Sequence, residues 1–334
     1  MSFQVYFHNC PQELQDEVNI VIQNFENNDF ELKVKSSGST GLPKEISHDK
    51  KSIITSSRRT NQFFQLNENS KVLCPLAIHT IGAKMSLFRA LTGDYELHFV
   101  NASRAFINEI PEGMKFDLVS LAVIQFGNLL DYHPNALDRF KNILIGGSAI
   151  SEQMEQKSIE LHLSTFIGFG MTETLSHIAL RKLGEPFYKC LEKITVNTID
   201  GGMEIHDNNK TITSTDIIES IDNQNFKWIG RTDFVINSGG VKIIPELIEN
   251  YISSTFKIKI LIIGVPDVTY GEKAILVSEE IIDDKLKTEI KNVIESKFGK
   301  YHVPKDFLVL DFKYINELKL DRLNIIKSVK ALYE

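Results

Sequence analysis

The chain is poor in cysteine, has no basic excess and contains no long apolar run. Its three cysteines, Cys10, Cys74 and Cys190, lie far apart, without CxxC or Cys/His ligand spacing. So odd and sparse a count excludes a disulfide framework and suits a reducing compartment. Lys+Arg number 37 against 44 Asp+Glu, a formal net charge of −7. Nucleic acid is therefore not expected as a partner, because binding a phosphate backbone needs a basic surface; a small anion in a local pocket stays compatible. The strongest apolar stretch, Ile258 to Val265, contains Lys259 and falls well short of the roughly 18 residues that span a bilayer. The opening MSFQVYFHNCPQELQDEV carries neither a basic leader nor an apolar core. A soluble, cytoplasmic protein without stable membrane insertion is the expectation.

Hydrophobic residues make up 42% and charged residues 24% of 334, a balance that supports a buried core and a length that suits two domains. Strand and helix signals alternate through the first two thirds. Glu31 to Lys35 reads as a strand, Asp49 as the cap of a helix through Gln65, and Lys71 to Leu76 as a strand. Ala83 to Leu91 reads as a helix, and Tyr95 to Val100, Leu118 to Ile124 and Asn142 to Ile145 as further strands. This alternation predicts an α/β layer architecture. From Met203 the short pieces MEIHD, KTITST and FKWIG predict hairpins. Beyond Asp233 come a hairpin (Phe234 to Ile244), a helix from Pro245 to Ser254, strands at Ile258 to Val265 and Ala274 to Ser278, and a helix from Lys285 to Phe298. That order predicts a small α+β domain, with the junction at Gly230 to Asp233.

The segment SSGSTGLPK, Ser36 to Lys44, is the most informative. Small residues let backbone N–H groups approach phosphate oxygens, hydroxyls add donors, and Lys44 adds a charge; a Ser/Gly surface turn is the plain alternative. The GxxxxGK[ST] loop is not matched, and Pro43 opposes a helix running straight on from the loop. The segment resembles the phosphate-binding loop of the adenylate-forming enzymes, the superfamily of acyl- and aryl-CoA ligases, peptide-synthetase adenylation domains and luciferases. Further matches follow in the family's order: GFGMTET (Gly168 to Thr174), Thr215-Asp216, GRTDFVI (Gly230 to Ile236), NSGGVKIIPELIE (Asn237 to Glu249) and KLDR (Lys319 to Arg322).

The resemblance implies an adenylate-forming fold, with an AMP-binding domain over 1–232, shortened at its amino-terminal part, and a mobile small domain over 233–334. It implies that Ser36, Ser37, Gly38, Ser39, Thr40, Gly41 and Lys44 hold phosphates, and that Gly146 and Gly147 form a backbone wall beside adenine and the acyl group. Phe169, with Gly170, stacks on adenine. Thr172 donates to the α-phosphate, Glu173 is the Mg²⁺ ligand, and Asp216 and Arg231 contact ribose or phosphate. Lys319 bridges the acyl carboxylate and the α-phosphate. Asp233 matches the hinge, and Gly239, Gly240 and Lys242 fall on the coenzyme A side. Two departures stand out: Ser214-Thr215-Asp216 occupies the place of Thr-Gly-Asp, and Leu318 stands where most of the family has Gly before the lysine.

The start of the loop at residue 36, with PLAIHTIGAKM (Pro75 to Met85) and TETLSHIALR (Thr172 to Arg181), is similar to the short o-succinylbenzoate–CoA ligases of menaquinone biosynthesis. That implies ATP, Mg²⁺ and coenzyme A, with an aromatic dicarboxylate whose second carboxylate needs donors or cations. His79, Lys84 and His177 are the candidates, each with an ordinary core or surface role as the alternative. Another small aryl- or acyl-CoA ligase, or an inactive nucleotide-binding relic, stays open, and a homodimer contact is one replacement for the shortened amino-terminal surface.

Overall fold

The computed structural model describes residues 3–36, 44–147, 150–208, 210–315 and 319–333. By contact density it divides into two compact units: 1–195 with 206–212 and 222–225, and 196–205 with 213–221 and 226–334. Residues 194–214, which include the strands Ile194–Ile199, Gly202–Asp207 and Lys210–Ser214, are shared between them.

In the first unit the segments VLC, LHFV and LVSL are apolar almost throughout and buried, the pattern of parallel strands covered on both faces. The strand order is Gln4–His8, Glu96–Val100, Lys71–Cys74, Leu118–Ala122, Ile143–Gly146, Thr165–Gly170, His177–Lys182 and Tyr188–Cys190. The first six pair parallel and the last two antiparallel. Helix Val123–Tyr132 adds Phe126 and Leu129 to a core with Leu73, Val119 and Ile145. Helices Lys50–Phe64 and Ile81–Gly93 bring Ile53, Met85 and Phe88 together with Phe25 and Leu32. The α/β expectation therefore holds.

Local chemistry sets the boundaries. The Asp49 carboxylate accepts from the Ser52 N–H at 2.7 Å, and Gln65 ends that helix in the left-handed region at φ 55°. Thr80 caps the next helix at Ala83, earlier than expected. The β-branched pair Val123-Ile124, read as strand, is helical instead. The Gln125 side chain accepts the Ala122 N–H at 3.0 Å and ends the strand there. The strand Gln4–His8 and helix Gln12–Glu26 carry no expectation from the sequence.

In the second unit Ile260–Asp267 is buried on both faces. Ile260 and Ile262 meet Ile248, Ile252, Ile290 and Ile294, whereas Leu261 and Ile263 meet Ile325 and Val329, as a two-residue side-chain period requires. The sheet order is Val241–Ile243, Ile236–Ser238, Gly271–Ser278, Ile260–Asp267, with Asp306–Val309 parallel to Gly271–Ser278. Helices Pro245–Phe256, Asp284–Phe298 and Arg322–Lys330 complete this α+β arrangement.

Phe126 is fully buried. Phe126→Ala is expected to lower stability by about 3–5 kcal/mol, read as a fall in the urea midpoint of the first unit's transition.

Candidate functional site

Ligands of open α/β sheets bind beyond the carboxyl ends of the parallel strands, and in the first unit the candidate residues follow those ends. Strand Ile143–Gly146 runs into Gly147, whose φ of +92° strongly favours glycine, and a Cβ on either glycine would meet none of the described residues within 4 Å. Strand Thr165–Gly170 leads into the 3-10 turn Thr172–Thr174. Gly170 is fixed by close approach, because a Cβ there would lie 2.3 Å from the Ser176 carbonyl oxygen. The Thr174 hydroxyl accepts the Met171 N–H at 2.9 Å, and buried Leu175 turns through φ 66°. This tight turn leaves Glu173 exposed, where its carboxylate, a hard oxygen donor, fits Mg²⁺ shared with phosphate oxygens.

Strands Glu31–Ser36 and Lys44–Asp49 pair antiparallel with Ser36 opposite Lys44, so both flanks of the candidate phosphate loop meet. Ser37, Gly38, Ser39, Thr40 and Gly41 lie outside the described residues, as do the side chains of Ser36 and Lys44. Buried His48, on the same hairpin, donates from Nε2 to the Thr172 carbonyl oxygen at 2.8 Å. It ties the hairpin that carries the loop to the Thr172–Glu173 turn. Sequence reasoning missed this residue, because its partner is 124 positions away.

Phe169 lies against Tyr188, centroid to centroid 5.6 Å, and the Arg181 guanidinium sits 5.9 Å from the Tyr188 ring. Arg181 forms a bidentate pair with Glu155 at 2.6 and 2.9 Å. Burial alone pushes the Glu155 carboxyl up, but Arg181 and the Gly184 N–H outweigh it and hold the group below its usual range.

Of the candidate acyl-pocket residues, His79 is exposed and Lys84 half-buried in the first turn of helix Ile81–Gly93. His177 is half-buried, with Nε2 3.0 Å from the Thr60 hydroxyl and Nδ1 3.4 Å from the Ser176 hydroxyl. Burial, then the Arg89 charge, depresses its pKa well below the ordinary 6.5, so it offers a hydrogen bond rather than a cation. The cation beside Ser176 is the buried Arg89, which the sequence reading passed over. It is 4% exposed on an apolar helix, donates from Nη2 to the Ser176 hydroxyl at 2.7 Å, and has no partner for Nε among the described residues. Its electrostatic neighbours are Tyr95 and Cys74 rather than a carboxylate, and burial pushes its pKa down to about 10. One charged residue inside MSLFRAL was the available signal.

The second unit holds the other candidates. Asp216, 7% exposed, accepts from Trp228 Nε1 at 2.9 Å and from the Ser214 hydroxyl, which in turn accepts the Asp216 N–H at 3.1 Å. Asp216 is opposite Arg231 across a hairpin. Arg231 Nη2 donates to the Thr215 hydroxyl and to Asp233 Oδ2, each at 2.6 Å. Gly239 and Gly240 form a turn at φ 57° and 84°, and Lys242 is exposed. Lys319 lies in the short strand Lys319–Leu320, its backbone opposite Ile315; its side chain and Leu318 fall outside the described residues. The following helix is anchored by Arg322, which grips Glu249 with two 2.7 Å bonds and lies 4.6 Å from the Phe234 ring. Glu246, pushed up to about 7 by burial against the opposing pull of Arg322, leaves Oε2 without a partner among the described residues.

The family described as AMP-binding enzyme matches residues 31–210. The chain belongs to that family. A 2-succinylbenzoate–CoA ligase of Listeria monocytogenes is 27% identical over 319 residues, covering 83% of this chain and 65% of the relative; one from Haemophilus influenzae is 23% identical over 317 residues, covering 86% and 68%. The chain thus spans about 65% of the length of the first of these relatives. Among solved structures, an acyl-CoA synthetase (AMP-forming)/AMP-acid ligase II-like protein from Dyadobacter fermentans is 26% identical with a TM-score of 0.64, covering 96% of this chain and 95% of that one. The o-succinylbenzoate coenzyme A synthetase of Bacillus subtilis, in complex with ATP and magnesium ion, has a TM-score of 0.75 at 20% identity, covering 88% and 69%. These likenesses show the adenylate-forming fold that the motifs implied. Among the described residues of this AMP-binding family member, no helix is long and apolar enough to cross a membrane.

Because the folded pKa of His177 is depressed, stability is fully present above about 6.5 and falls as acidification favours the unfolded chain, which takes up the proton more readily. Urea unfolding is expected to show the parent losing more stability than His177→Asn between roughly pH 8 and pH 5.5, the range over which an ordinary imidazole titrates.

Proposed function

We propose that the chain is an AMP-forming acid–thiol ligase acting on an aromatic dicarboxylate, with o-succinylbenzoate as the substrate. The observation that carries this reading is Arg89. A guanidinium buried without a carboxylate partner among the described residues is costly, and an incoming carboxylate beside Ser176 and His177 offsets that cost. An acid with one carboxylate to react and a second to be held meets both needs. The resemblance to 2-succinylbenzoate–CoA ligases supports the same choice.

On this reading the reacting carboxylate attacks the α-phosphorus of ATP, a P–O bond breaks, and pyrophosphate leaves. Thr172 donates to the α-phosphate, the loop Ser36 to Lys44 holds the phosphates, and Lys319 offsets the repulsion between two anions. Bound at Glu173, Mg²⁺ supplies charge neutralisation at the phosphate oxygens. Phe169, Gly146 and Gly147 enclose adenine, while Asp216 and Arg231 hold the ribose. The thiol sulfur of coenzyme A then attacks the acyl carbon, AMP leaves, and the thiol proton passes to solvent. Between the steps the small domain, 233–334, turns about Asp233 relative to 1–232, withdrawing Lys319 and bringing Gly239, Gly240 and Lys242 to the site.

The test is coenzyme-A-dependent AMP release from MgATP across a carboxylate panel. A response confined to o-succinylbenzoate is expected; equal turnover of benzoate or simple aliphatic acids, with none of o-succinylbenzoate, overturns the substrate assignment. Arg89→Met is expected to raise KM for the acid roughly 10²-fold, the order of magnitude for losing a buried charge partner, with KM for ATP little changed. Lys319→Ala is expected to abolish most adenylation while the circular dichroism spectrum is retained.

A further inference from the structure

Thr215 stands where the family pattern has glycine, and its side chain is fully engaged. The hydroxyl donates to Asp233 Oδ2 at 2.8 Å and accepts from Arg231 Nη2 at 2.6 Å. Arg231 also donates to that same Oδ2 from Nη2 at 2.6 Å and from Nε at 3.2 Å. The Thr215 carbonyl oxygen accepts the Thr232 N–H at 2.8 Å. One residue thereby holds both the arginine proposed for the ribose and the aspartate proposed as the hinge. The other side of this segment is blocked as well: a Cβ at Gly230 would lie 2.7 Å from both Glu246 Oε2 and Ile244 Cγ2. Residues 230–233 are therefore clasped between Thr215 and the start of helix Pro245–Phe256, and all of these contacts lie within the second unit.

We propose that Thr215 is a positioning residue that latches the hinge and is released by the nucleotide. The inference rests on the reading of Arg231 and Asp233 given above. A ribose or phosphate oxygen competes with Asp233 for the guanidinium. When Arg231 turns toward the nucleotide, Asp233 and the Thr215 hydroxyl lose their shared donor; the Thr215-to-Asp233 bond then stands without the guanidinium's support and holds the dihedrals at 233 less firmly. Nucleotide occupancy and rotation of the small domain are thus coupled through one hydroxyl.

The test uses the full chain with AMP as probe and hydrogen exchange at the Thr232 to Ile236 amides as readout. Thr215→Val keeps the backbone carbonyl and removes the hydroxyl. Without nucleotide it is expected to raise exchange about fivefold, the effect of losing one net hydrogen bond, and Thr215→Ser is expected to restore protection. AMP raises exchange in the parent by a similar factor and adds little in Thr215→Val. With o-succinylbenzoate, Thr215→Val changes the ratio of thioester formation to adenylate formation, where a merely structural defect slows both by one factor. Equal exchange in parent and Thr215→Val without nucleotide overturns the latch. An undiminished AMP response in Thr215→Val overturns the coupling. If AMP does not bind the parent in equilibrium dialysis, the nucleotide reading and the coupling fail together, and the nucleotide-free comparison still decides the latch.

Discussion

A parallel sheet buried on both faces has nowhere to put chemistry except at its ends, and that constraint orders the first unit. The strands through Leu73, Val119 and Ile145 are too apolar and too well covered to carry polar function along their length. Polar groups therefore gather where strands stop: at Gly146-Gly147, at the Gly170 to Thr174 turn, and after Cys74. The hairpin Glu31–Ser36/Lys44–Asp49 stands outside the sheet and reaches this end through His48 and the Thr172 carbonyl. A backbone carbonyl as the acceptor makes the attachment independent of what side chain occupies residue 172.

Arg89 breaks the rule that charge stays at the ends, and the break is informative. Its helix is capped by Thr80 and packs apolar residues on either side, and the guanidinium reaches the Ser176 hydroxyl. Replacing it by an apolar residue of similar volume would remove a desolvation cost. Its Nε is unpartnered among the described residues and a neighbouring histidine is held neutral, the two features on which the proposed carboxylate site rests. The Arg181–Glu155 pair shows the ordinary alternative: the charge there is answered within the chain by a bidentate carboxylate.

Four of the parallel strands, at Lys71–Cys74, Glu96–Val100, Leu118–Ala122 and Ile143–Gly146, and the elements beyond Asp233 were legible because burial on both faces, or on alternating faces, writes directly into residue type; Thr165–Gly170 carried no expectation. The Asp49 cap and the helix from Pro245 were legible because their chemistry is local. Val123-Ile124 misled, since β-branching outweighed a cap made by a side chain three residues beyond Ala122. The motif residues could be named but not their contacts. His48 with Thr172, Arg89 with Ser176 and Trp228 with Asp216 each join distant positions, and no spacing rule connects them. Gln4–His8 escaped notice because an edge strand needs little apolar character on its outer side.

The departure at Ser214-Thr215 has two linked local effects. A glycine before the aspartate leaves the loop free and its conformation undetermined by side chains. Here Ser214 closes on the Asp216 carboxylate and its own N–H, and Trp228 takes the other oxygen, so the carboxylate is oriented before any ligand arrives. That fixation removes the loop's freedom, and Thr215 then ties what remains to Arg231 and Asp233. Orientation of Asp216 and restraint of Asp233 are consequently parts of one local arrangement. Glycine at 215 alone would remove the hydroxyl from Arg231 and Asp233 while leaving Asp216 held by Ser214 and Trp228, which makes the two effects physically separable.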